Sequence, residues 1–160
     1  MTTSAGRNEQ SDALGIVRRA MLILFVFAML GTGTELVLLD HTEGFWQLAP
    51  LLLIGASLIV LAWHVVDRRR ASVRAFQGIM LLCVASGVVG LVLHYRGNVE
   101  FEREMYPNLS GLELFWGAMT GATPSLAPGT MTLLGLLGLL YTYGHPALTS
   151  STESVSTSTG

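Results

Sequence analysis

The chain reads as an all-α integral membrane protein: a four-transmembrane-helix bundle with a short interfacial helix between the third and fourth spans. Three observations carry that expectation. Apolar residues make up 51% of the 160 positions and charged residues only 12%, against about 25% charged in soluble domains. Four apolar runs, over 20–39, 50–66, 75–95 and 128–143, recur between short polar connections. Seven of the nine basic residues, all arginine, fall on alternate connections, as the bias against translocating cationic flanks requires.

The polar N-terminal segment 1–15 has no apolar period and reads as a disordered cytoplasmic tail. The transmembrane domain then occupies 16–146. Arg18 and Arg19 precede the first run, AMLILFVFAMLGTGTELVLL, which at 1.5 Å per residue covers the roughly 30 Å of hydrocarbon. It is longer than a signal-peptide core and no Ala-x-Ala site follows, so it reads as a retained helix. The second run has Trp46 and Trp63 at its edges, where amphipathic rings favour headgroups, and Pro50 is placed in its first helical turn. The connection after it carries Arg68, Arg69, Arg70 and Arg74, the strongest orientation signal in the chain. The third run ends at His94 and Tyr95, and the fourth runs from Pro128 to two tyrosines.

Arg7, Arg18, Arg19, Arg68, Arg69, Arg70 and Arg74 lie on one side, against Arg96 and Arg103 on the other. The first side is therefore assigned to the cytoplasm of a cell membrane, with both termini inside. Residues 40–47 and 96–127 face out. Within the longer of these, Ser110 and Glu113 have capping-box spacing before LELFWGAMTGA, so a helix over 112–122 is predicted, too short to cross and therefore interfacial. The segment 115–129 also has the order of a re-entrant element, though without a potassium-channel filter sequence. Gly78, Gly87, Gly90, Gly135 and Gly138 predict close helix contact, within the bundle or between subunits. The Ser/Thr-rich tail 147–160 reads as disordered.

For function, composition excludes more than it assigns. A net charge of −2 and the absence of a basic tract mixed with aromatics argue against nucleic acid. The single Cys83 permits neither a disulfide framework nor a thiolate cluster, and no GxSxG, HExxH, P-loop or CxxC is present, so no enzyme is predicted. The candidate ligand or proton site comprises Glu35, within the first span, together with His41, His94 and Glu113 on the outer side. Intramembrane carboxylates are costly unless they face protein, water or a cation. Glu35, His41 and His94 are also a donor set that a divalent ion could accept, but their spacing matches no metal motif. His64 and His145 read as interface residues. A bis-histidine haem needs paired histidines at matched depth on facing elements.

The leading expectation is an accessory or binding protein with an ionisable site at its outer face. It resides in the bilayer, within a larger membrane complex or a homo-oligomer, and no resident cofactor is predicted. Proton- or cation-coupled transport through an oligomer, and a haem or redox subunit, are the alternatives.

Overall fold

A computed structural model describes residues 3–149 and is all-helical there. Five helices, α1 (Thr3–Leu38), α2 (Phe45–Val66), α3 (Arg70–Met105), α4 (Gly111–Met119) and α5 (Gly129–Tyr141), are followed by a single turn, α6 (Pro146–Thr149). Three of them, α1 from Asp12, α2 and α3, are long and apolar enough to cross a membrane. Their side chains divide accordingly. Phe25, Met29, Ile54, Leu61, Phe76, Met80, Cys83, Met131 and Leu134 form the core, while Ile23, Leu24, Phe27, Ile59, Leu81 and Leu133 are exposed apolar groups for which lipid is the matching solvent.

The central seam is α3 against α5, and glycine makes it possible. A Cβ on Gly135 would lie 2.6 Å from the Met80 carbonyl oxygen and 2.9 Å from the Val84 nitrogen. One on Gly87 would lie 2.5 Å from the Thr132 nitrogen and 2.9 Å from the Pro128 oxygen. Backbone therefore meets backbone, the arrangement small residues permit between membrane helices, and Thr132 Oγ1 donates to the Val84 carbonyl across it at 3.3 Å. Gly90 and Gly138 belong to the same seam, whereas Gly78 meets nothing within 4 Å. Phe25 of α1 closes on Phe76 edge to face at 5.7 Å.

The ends of the helices depart from the sequence expectation in particular ways. The chain is helical from Thr3 rather than from residue 20; a helix nucleated in lipid extends at little cost into flanking polar sequence. Helix α2 starts at Phe45, so Pro50 stands inside it rather than in the first turn. The Gly44 carbonyl accepts from Leu48 N at 3.1 Å and the Gln47 side chain accepts Glu43 N–H at 2.9 Å, starting the helix ahead of the proline. Helix α3 continues to Met105 through residues 96–105, expected as loop. At 36 residues it is roughly 54 Å long, more than a hydrocarbon layer of roughly 30 Å requires. Helix α4 starts after Ser110 as predicted, but without a side-chain cap from Ser110, and ends at Met119 rather than residue 122. Helix α5 has 13 residues, shorter than the run expected to span. Residues 150–160 of the C-terminal tail lie outside the described residues.

Candidate functional site

The end of α1 folds so as to bring two histidines together. His41 N–H donates to the Leu36 carbonyl at 2.9 Å and Asp40 N–H to the Val37 carbonyl at 3.1 Å, the paired bonds of a Schellman ending. Asp40 takes the left-handed position, φ 51°, which Asp tolerates better than most residues. Its carboxylate accepts Thr42 Oγ1–H at 3.2 Å. The reversal turns His41 back over the helix end, and its ring lies 6.4 Å from that of His94 on α3. His94 Nδ1 is buried and has no hydrogen-bond partner among the described residues, a condition that disfavours the site until a partner arrives. Burial, and after it the neighbouring His94, hold the His41 imidazole below its ordinary value of 6.5.

The other predicted members do not join this pair. Glu35 is exposed on α1, with no side-chain partner among the described residues, and Glu113 is exposed in the first turn of α4, where a carboxylate suits the helix N-terminus. No three His, Cys, Asp or Glu side chains gather into a metal-holding group among the described residues. An apolar crease of about 410 Å³ between α1 and α2, lined by Met29, Gly33, Thr34, Leu51, Ile54 and Gly55, offers no charged group.

One turn after His94, Asn98 organises the segment between α3 and α5. It is 2% exposed. Its Nδ2 donates toward the carbonyls of Ala118 at 2.9 Å and Thr123 at 2.7 Å and toward Ser125 Oγ at 3.0 Å, and its Oδ1 accepts Thr123 N–H at 3.1 Å and Thr123 Oγ1–H at 2.6 Å. One amide thus fixes the turn that joins α4 to α5; Gly121 lets that turn approach Asn98, and Gly117 lets α4 approach Glu102.

A second pair of histidines, which the sequence left geometrically possible, meets at the other end of the bundle. His64 is 1% exposed, covered by the protein. Its ring lies 5.2 Å from that of His145 and against Phe76 and Tyr141. His64 Nδ1 and Ser72 Oγ are 3.3 Å apart. The single Ser72 hydroxyl proton is directed to the carbonyls of Asp67 and Arg69, so His64 Nδ1 is the donor and its Nε2 carries the lone pair when neutral. His145 Nδ1 accepts Ala147 N–H at 3.2 Å, which leaves its proton on Nε2. Arg18 joins this end to α1, donating to the carbonyls of Tyr143 at 3.0 Å and Gly144 at 3.4 Å. Gln77 Nε2 donates to the buried Thr142 hydroxyl at 3.2 Å. Burial first, then the charges of Arg18 and Arg68, lower the His145 imidazole from 6.5.

The sign of the pH dependence follows from these two rings. His41 and His145 are both lowered in the folded state, so as pH falls through about 6.5 the unfolded chain takes up protons that the folded chain keeps off. Stability is complete above that pH and falls below it. The thermal midpoint in detergent is expected to drop by a few degrees between neutral pH and mildly acidic pH, and the drop to shrink when both rings are replaced by glutamine. An equal drop in the double variant contradicts this.

No family model, curated protein or solved structure matches the chain.

Proposed function

We propose that the chain is a cell-membrane protein of four crossings with both ends cytoplasmic, an accessory or binding subunit whose outer face takes up a proton or a borderline divalent cation at His41 and His94. The observation that carries this reading is the His94 ring, its Nδ1 buried without a partner and its face 6.4 Å from His41. Such a nitrogen is satisfied by a cation or by a donor brought from outside. The acids at Asp40, Glu43, Glu100, Glu102 and Glu104 give that face a favourable field for a cation.

Support for a fourth crossing comes from where α5 lies along α3. Pro128, just before it, sits against Gly90, while Thr142, just after it, bonds Gln77 and His145 reaches the ring bonded to Ser72. About 18 residues of α3 lie between Gly90 and Ser72, roughly 27 Å of helix, so α5 with its flanking turns passes from one end of the apolar layer to the other. Asn98 is one turn beyond His94, which favours an interfacial lid for α4 over a re-entrant element. Arginine placement supports the orientation.

The test is direct. Purified protein and its His41→Gln and His94→Gln forms are titrated with Zn²⁺ and, separately, with acid while the ring signals are followed by NMR. The parent is expected to bind Zn²⁺ at least about tenfold more tightly than either variant, or to show each ring's titration shifted when the other is replaced. Unchanged Zn²⁺ affinity together with independent titration ends the reading. Recovery from native membranes in mild detergent then identifies the subunit it accompanies.

A haem subunit is the second reading, because each end holds a histidine pair. Only His64 has the arrangement a ligating ring needs, with Nδ1 donating and Nε2 free; His145 has its Nδ1 engaged as an acceptor. A visible absorption spectrum of purified protein decides it, and a colourless sample removes it.

A further inference from the structure

The end of the bundle opposite His94 is built almost wholly from cations. The stretches that meet there, 15–22, 61–80 and 139–149, contain six arginines, two histidines and a single carboxylate. That carboxylate, Asp67, pairs with Arg69 at 3.1 Å. Arg18, His64 and His145 gather at this end without an acidic partner among the described residues, and the charge of the exposed Arg68 reaches His145. Their placement is not incidental to a loose surface. Ser72 pins the Asp67–Arg69 turn over the buried His64 ring, Arg18 is fixed by the Tyr143 and Gly144 carbonyls, and His145 packs against His64 at 5.2 Å.

We propose that this cradle of Arg18, Arg68, His64 and His145 binds a phosphate-bearing anion, presented either by the headgroup of an anionic lipid or as free phosphate. His145 presents Nε2–H and the two guanidinium groups present planar donors, which suit phosphate oxygens. His64 backs the cradle, its ring 5.2 Å from that of His145. A divalent metal is excluded by the same charges, since two arginines repel it. The level of the site matches a headgroup: about 22 residues of α3 separate Ser72 from His94, roughly 33 Å, so the two histidine pairs stand at opposite faces of a hydrocarbon layer of roughly 30 Å. Trp63, adjacent to His64, is placed where interfacial aromatics gather. Basic pockets between helix ends recognise anionic headgroups in this way.

The experiment uses the full chain purified in a neutral detergent. Its retention of phosphatidylglycerol and phosphatidylcholine is compared by native mass spectrometry, and inorganic phosphate is titrated alone in parallel. Phosphatidylglycerol is expected to bind more tightly than phosphatidylcholine, with Arg68→Gln and His145→Gln each weakening it about fivefold. Arg96→Gln, at the other face, serves as the control expected to leave it unchanged. Both test positions are at the surface of their turns, and an unchanged thermal midpoint without ligand confirms that the variants are folded. If inorganic phosphate alone binds and is weakened by the same variants, the cradle is occupied by free phosphate and the assignment of the site stands. Equal retention of the two lipids with no binding of phosphate, or retention indifferent to Arg68→Gln and His145→Gln, overturns it.

Discussion

Replacing Gly135 by valine is expected to destroy the native bundle. The first added carbon would stand 2.6 Å from the Met80 carbonyl oxygen and 2.9 Å from the Val84 nitrogen. Both are main-chain atoms inside a helix, which cannot turn aside as a side chain can, so α5 must lift from α3 along its length. Lifting it also separates Gly87 from Thr132 and Gly138 from Met80, and it opens the contact through which Phe25 ties α1 to the seam. Overpacking an ordinary core site costs about 1–3 kcal/mol; a backbone-to-backbone collision along the central seam is expected to exceed that range. Thermal unfolding in detergent, followed by size-exclusion profile, is the check. Gly78→Val, on α3 but facing open space, is expected to leave the midpoint within a few degrees. A Gly135→Val protein as stable as the parent refutes the seam.

The second large effect belongs to Asn98. Leucine there would remove both donors and the acceptor at once, leaving the Thr123 carbonyl and N–H without their partner and the Ala118 carbonyl with only the Ser125 hydroxyl. Each buried group so orphaned costs about 1–3 kcal/mol. The loss falls on the turn between α4 and α5 rather than on the bundle, since the apolar seam lies below it. Hydrogen exchange is expected to show protection of 111–127 reduced at least about a hundredfold, while α2 and the apolar part of α3 stay protected. Aspartate is a sharper probe because it keeps the shape. Asn98→Asp sets a carboxylate against two carbonyl oxygens and is expected to release the same segment. If Asn98→Asp leaves exchange unaltered, the amide is not what holds that segment.

Hydropathy alone made the helical class legible and also located the three long apolar helices, because lipid demands continuous apolar length and little else satisfies that demand. It could not show that α3 runs on through residues 96–105. Polar residues carry no hydropathic signal, and their helix is stabilised by α4 packed against it. Asn98 went unnoticed for a related reason: a lone amide after an apolar run looks like the start of a loop until its partners, about 20–27 residues later, are brought to it. The glycines did announce close contact, but not which of them met backbone. His41 and His94 could be placed at the same outer height by counting along their spans. His64 and His145 could be held only as a possible pair, since each stands at the end of its own run and the packing of α5 on α3 brings them together. Arg18 reads in sequence as a topological anchor; its bonds to the end of α5 depend on tertiary structure.

The proposed function requires the two histidine pairs to lie at opposite faces of a bilayer. Impermeant thiol labelling of intact cells measures it. In a Cys83→Ala background, single cysteines at Glu43 and Asn108 are expected to react from outside, and cysteines at Ala71 and Ser151 only after the membrane is permeabilised. Labelling of Ala71→Cys from outside, or of all four positions alike in intact cells, contradicts the premise.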